Sequence, residues 1–218
     1  MAHSFVPRLD GRYMCRLDQD ERNVFAQVST EVVQLIRWDL RMDADDDSQA
    51  ARPGLASDDP LARLEAEHAA DQQVSAPRDG AVRRLFPSAF PDDDRAADEF
   101  RRFSQTSLAE GMIETLNTVI AALGAHELSP DEELVLDAEQ ADHFVRAITT
   151  IRLVLADRMG LKNDGDFEAL QLLRSNQIDV TEKEDEDGVA SLDFLASLYE
   201  FLSWLQESLV RAMSAGLR

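Results

Sequence analysis

At 218 residues the chain has room for one core with at most a small appendage, and its 44% hydrophobic share is that of a globular protein. Its 43 Asp and Glu against 22 Lys and Arg give a formal net charge of -21, and none of the segments 1–78, 79–125, 126–160 and 161–218 is net basic. Such a surface repels phosphate backbones, which disfavours direct nucleic-acid binding, and it suits partners that carry basic surfaces. Cys15 is the single cysteine, which excludes an intrachain disulfide and a multi-cysteine zinc site. The first residues hold no apolar stretch of signal-peptide length. The longest purely apolar run, Val119 to Leu123, is far short of a membrane span. A cytoplasmic location without membrane contact is therefore expected.

Residues 4–17 read as a β-hairpin, with Phe5-Val-Pro-Arg-Leu9 and Arg12-Tyr-Met-Cys-Arg-Leu17 flanking Asp10-Gly11. That dipeptide suits a type I′ turn, and Pro7 confines the first strand to an edge. Asp18 with Glu21 forms a capping-box pattern that opens a helix over about 19–42, carried by Val24, Phe25, Val28, Val32, Leu35 and Ile36. An acidic linker follows over 43–59. Asp59-Pro60 then caps a short helix from Leu61 to about Ala70, and a second polar linker occupies 71–78. The main helical part spans 79–218.

Within it, Gly80 to Phe86 reads as a short helix stopped by Pro87, and a helix resumes near Asp94 with Phe100 and Phe103 facing inward. Ser104 is placed to cap a further turn. Leu108, Met112, Leu116, Val119, Ile120 and Leu123 extend the apolar stripe to Gly124, which suits a C-cap. Asp137 with Gln140 is a second capping-box pattern, opening a helix over 138–159 that buries Phe144, Ile148, Ile151, Leu155 and Met159, with Gly160 as its stop. Phe167 to Leu173 suits a short helix, whereas Ile178-Asp-Val and Glu182 to Asp187 suit a loop or an edge. The last helix, over about 190–215, sets Leu192, Leu195, Leu198, Leu202, Leu205, Leu209 and Met213 at spacings that build a bundle seam or, alternatively, a homodimer interface through 190–215. Burial of the seam within one chain is the favoured reading. The sum is a single, mainly α domain: a bundle of about four longer helices with short helices and an N-terminal β-hairpin.

Catalytic and metal chemistries find no complete set of residues. Glu65 and His68 have the i, i+3 spacing of carboxylate-bridged bundles, but no second Glu-x-x-His occurs. Glu139 and His143 share a helix face without a third ligand, and an EF-hand register at Gly188 puts Lys183 and Phe194 where acids are needed. No Gly-x-Ser-x-Gly, Walker A loop or Gly-x-Gly-x-x-Gly is present. No catalytic residue, metal site or cofactor is assigned. Cys15 is a redox candidate, because the adjacent Arg16 would favour its thiolate. Alternation with Tyr13 and Leu17 favours packing instead. The arginines Arg83, Arg84, Arg101 and Arg102, interleaved with Phe86 and Phe90, are partner-contact or structural candidates. They could stack on or clamp a partner, or pair with Asp79, Asp92, Asp93, Asp94, Asp98 and Glu99 of the same stretch.

Val82-Arg-Arg-Leu-Phe-Pro-Ser-Ala-Phe90, then Glu99-Phe-Arg-Arg-Phe103 and Leu108, resembles the signature of an actinobacterial family long labelled a domain of unknown function and described as oxidative-stress-sensing transcription regulators of the AosR type. Ile151-Arg-Leu-Val-Leu-Ala-Asp-Arg-Met159 and Leu205-Gln-Glu-Ser-Leu209 resemble that family's later blocks, so the similarity spans nearly the whole chain. The resemblance implies a cytoplasmic regulator without catalysis, acting through contact with RNA polymerase or a sigma factor. It also implies gene neighbours for a Clp-protease adaptor and a sulfur-carrier route to cysteine, and so an alternative role as an accessory to either. A lone Cys15 excludes an intramolecular disulfide switch, leaving oxidation of that thiol or an intermolecular bridge. Ala109 and Met112 stand where the family carries basic residues, which weakens any basic contact there.

Overall fold

The computed structural model describes residues 3–42, 74–124, 133–163, 165–168, 171–172 and 186–215. The expected linker 43–59, the short helix 61–70 and the 178–180 stretch lie outside them. Strand β1 (His3–Pro7) pairs antiparallel with β2 (Tyr13–Arg16), as the hairpin reading requires. The turn between them is of another kind. Arg8 donates its N–H to the Arg12 carbonyl, Gly11 donates to the Arg8 carbonyl, and only Gly11 has positive φ, at 79°. This is a type I turn followed by a left-handed glycine, stabilised by the Asp10 carboxylate, which accepts from the Arg12 N–H.

A third strand, β3 (Glu133–Leu136), adds to the far side of β2 with Cys15 opposite Leu134 and Tyr13 opposite Leu136. The sheet order β1-β2-β3 leaves Pro7 on an edge, as expected. The third strand answers the problem that a two-stranded hairpin is marginal alone. Phe5, Cys15, Leu17, Leu134 and Leu136 are all buried against the helices. On the opposite face, Arg16 pairs with Glu133 at 3.3 Å.

Two of the long helices leave the sheet through capping boxes. In α1 (Gln19–Asp39), Asp18 accepts from the Glu21 N–H while Glu21 accepts from the Asp18 N–H, both at 2.9 Å. In α4 (Ala138–Arg158), Asp137 and Gln140 exchange the same pair of bonds. Between them in sequence lie α2 (Gly80–Leu85) and α3 (Asp94–Gly124), and the last long helix is α5 (Glu186–Ala215). The architecture is thus mainly α with four long helices. No helix among the described residues is long and apolar enough to cross a membrane.

Helix α4 is the centre, touching α1, α2, α3 and α5. Its Phe144 meets Phe25 of α1 edge-to-face at 5.8 Å, and its Ile148 and Ile151 are fully buried. Arg152 of α4 donates to Gln206 Oε1 at 2.7 Å and to the Tyr199 hydroxyl at 3.1 Å, tying α4 to α5. Leu202, Leu205 and Leu209 of α5 are fully buried within the chain, so the leucine seam serves the bundle. The helix begins at Glu186, earlier than the spacing of its leucines suggests. Residues 165–168 and 171–172 are helical, overlapping the short helix expected over Phe167–Leu173 and starting two residues before it.

Helix α3 corrects the sequence reading most. It runs unbroken through Ser104, whose hydroxyl donates to the Phe100 carbonyl one turn back instead of capping a new start. Its buried side carries Ala97, Gln105, Ala109, Ile113, Leu116 and Leu123, while Phe100, Phe103 and Leu108 face outward. Small side chains at 97 and 109 let the first half of the helix approach its neighbours, while Phe100, Phe103 and Leu108 are left outside.

Helices α1 and α4 end in the same way. Met42 donates to Arg37 and Arg41 to Trp38; Leu161 donates to Ala156 and Gly160 to Asp157. Both are Schellman caps, but the left-handed position is Gly160 (φ 72°) in one and Arg41 (φ 55°) in the other. Arg41 is exposed, and a Cβ at Gly160 would meet nothing within 4 Å, so the left-handed backbone, rather than packing, sets the residue preference at both sites. Arg41→Gly is expected to raise stability by about 0.5–1 kcal/mol and Gly160→Ala to lower it by roughly 1 kcal/mol, read by urea denaturation.

Candidate functional site

Asp79 opens α2, its carboxylate accepting from the Ala81 N–H at 2.8 Å and the Val82 N–H at 3.3 Å. Its other oxygen pairs with Arg158, at the end of α4, at 2.9 Å. One residue earlier in this joint, Asp39 at the end of α1 accepts from the backbone N–H groups of Arg78 and Asp79, each at 3.0 Å. Arg84 completes the attachment by donating to the Leu161 carbonyl at 2.6 Å. Burial pushes the Asp79 carboxyl up, but the bonds from Arg158, Val82 and Ala81 outweigh it and hold the group below its ordinary value.

The chain leaving α2 turns at Phe86-Pro-Ser-Ala and is held against the first half of α3. Phe90 packs edge-to-face on Phe100 with ring centroids 6.2 Å apart, and Ser88 donates its hydroxyl to the Phe90 carbonyl at 3.2 Å. Between the turn and α3 opens a cleft of about 140 Å³, with Phe86, Pro87 and Ala89 on one wall and Phe100, Ser104 and Leu108 on the other. Leu108, 56% exposed, extends the apolar surface of the cleft, while Phe103, 75% exposed, stands outside its lining. Gln105 lies in the floor, 6% exposed; its amide N–H donates to the Ser75 carbonyl at 3.3 Å and its Oε1 is buried without a hydrogen bond. A wider depression of about 590 Å³ between α1 and α3 is open and of mixed character, lined by Arg37, Glu110, Glu114 and Asn117 together with Met42 and Ile113. The smaller cleft is the better site for an apolar group.

The six motif residues divide between these settings. Phe86, Phe90 and Arg101 gather at the cleft, where Arg101 is paired with Asp98 in the preceding turn. Arg102 lies 5.8 Å from the Phe103 ring. Arg84 points instead to the C-terminal end of α4, and Arg83 is exposed. The expected pairing within the stretch is seen for Arg101 and Asp98, whereas Asp79 reaches across to Arg158. Phe100, Phe103, Leu108, Gln105, Asp39 and Arg158 complete the region. Two of these, Phe100 and Phe103, have the sequence signal of core residues, and nothing local in the sequence joins Asp39 or Arg158 to the motif.

Cys15 lies apart, on the buried face of the sheet opposite Leu134. It is 1% exposed, and burial raises the thiol pKa, with Glu21 adding to the rise and Arg22 opposing it weakly. The adjacent Arg16 pairs with Glu133 on the other face, so alternation separates it from the sulfur. Glu139 is exposed on α4 and His143 half-buried, with Nδ1 lacking a hydrogen bond; His68 and Glu65 lie outside the described residues. Among the described residues no group of three or more His, Cys, Asp or Glu side chains is arranged to hold a metal ion.

A central helix wrapped by three other long helices, with a three-stranded sheet and a short helix-and-turn bearing an apolar cleft, defines the class: a mainly α bundle. The chain belongs to the family described as a domain of unknown function, DUF2017, whose model matches residues 2–213. No curated protein matches it, and no solved structure does.

Two outcomes follow from this geometry. Asp79 contributes stability in full above the ordinary carboxylate value of 3.8, and that contribution is lost as pH falls through its lower folded value. Asp79→Asn, which keeps a capping oxygen but loses the charge, is expected to cost about 1 kcal/mol at pH 7 and progressively less as pH falls below 3.8, measured by urea denaturation across that range. For Cys15, labelling by a thiol reagent is expected to be at least about 100-fold slower in the native protein than in urea, since both access and thiolate are suppressed.

Proposed function

We propose that the protein is a non-enzymatic transcription regulator that works by protein–protein contact and uses the cleft beside the Phe86–Ala89 turn as its docking surface. The observation that carries this reading is the exposure of Phe100 and Leu108 in the wall of the apolar cleft. Large rings left in water around a pocket are characteristic of interaction surfaces, where a few buried aromatic and arginine anchors supply most of the affinity. Arg101 is already neutralised by Asp98 and Arg84 is committed to a carbonyl, which supports a protein partner over a phosphate backbone. The resemblance to oxidative-stress-sensing regulators of the AosR type supports RNA polymerase or a sigma factor as that partner and a cytoplasmic setting. Within this reading Cys15 packs the sheet, and responsiveness to oxidant rests on the resemblance alone.

The test is crosslinking in the source organism with partner identification, using the native chain and a Leu108→Ala variant. The native chain is expected to capture polymerase or a sigma factor, and the variant to capture about tenfold less with its thermal midpoint unchanged. Repeated captures that lack both proteins would count against the proposal. Recovery of a Clp adaptor, or a changed cysteine pool on deletion with unaltered transcription, would favour the accessory role.

A further inference from the structure

We draw no further inference here: the strongest candidate, the apolar groove of about 270 Å³ between α1, α4 and α5 lined by Val28, Val32, Leu155, Leu195 and Leu198 and rimmed by Phe194, is an unpartnered face and nothing in the structure shows what covers it.

Discussion

A helix of 6 residues does not hold its shape in water, so α2 exists because something else fixes it. That something is the joint at Asp79. One carboxylate caps α2 and grips Arg158, a second at Asp39 takes the two backbone N–H groups before it, and Arg84 closes the other side on Leu161. The helix ends that meet here are the C-termini of α1 and α4, where free carbonyls make a cation favourable and an anion unfavourable. Arg158 and Arg84 supply the cations. Ala81 and Val82 then bury completely, adding an apolar seat beneath the polar ties. The wall of the cleft inherits its position from this arrangement.

The opposite wall depends on α3 lying close to the bundle. Ala97 and Ala109 on its buried side present little volume, and Thr115 satisfies its hydroxyl on the Gly111 carbonyl within the helix. Close approach with small residues forces the bulk of Phe100, Phe103 and Leu108 to the outside. The exposed rings are therefore a consequence of how the helix packs, and one of them is steadied by Phe90 from across the cleft.

The sequence made the helix starts legible because a capping box is local: four residues carry both halves of the hydrogen-bond exchange, and Asp18–Glu21 and Asp137–Gln140 form as read. Gly160 was legible for the same reason, since a left-handed residue after an apolar stripe has one preferred type. Arg41 occupies the equivalent position without that signal. Hydropathy misread α3 because it follows large residues, and here alanine and glutamine face the core. Strand β3 spans only 4 residues, too few for alternation to stand out, and its pairing to β2 bridges over a hundred positions. The cleft was half visible: its motif residues could be named, but which of them meet, and that Asp79 would choose Arg158 over its arginine neighbours, depends on contacts far apart in the chain.

The Phe5 N–H on the outer edge of β1 is satisfied by the hydroxyl of Ser208, 203 positions later. During synthesis, at about 5–20 residues per second, that partner arrives on the order of ten to forty seconds after the strand. Until α5 docks, the sheet has an open edge and a half-covered apolar face, the condition in which nascent chains pair wrongly with one another. Helix α5 is thus the element that seals β1. Completion of the fold is consequently a late event in the life of each molecule, and the interval before it is when a chaperone would have most to protect.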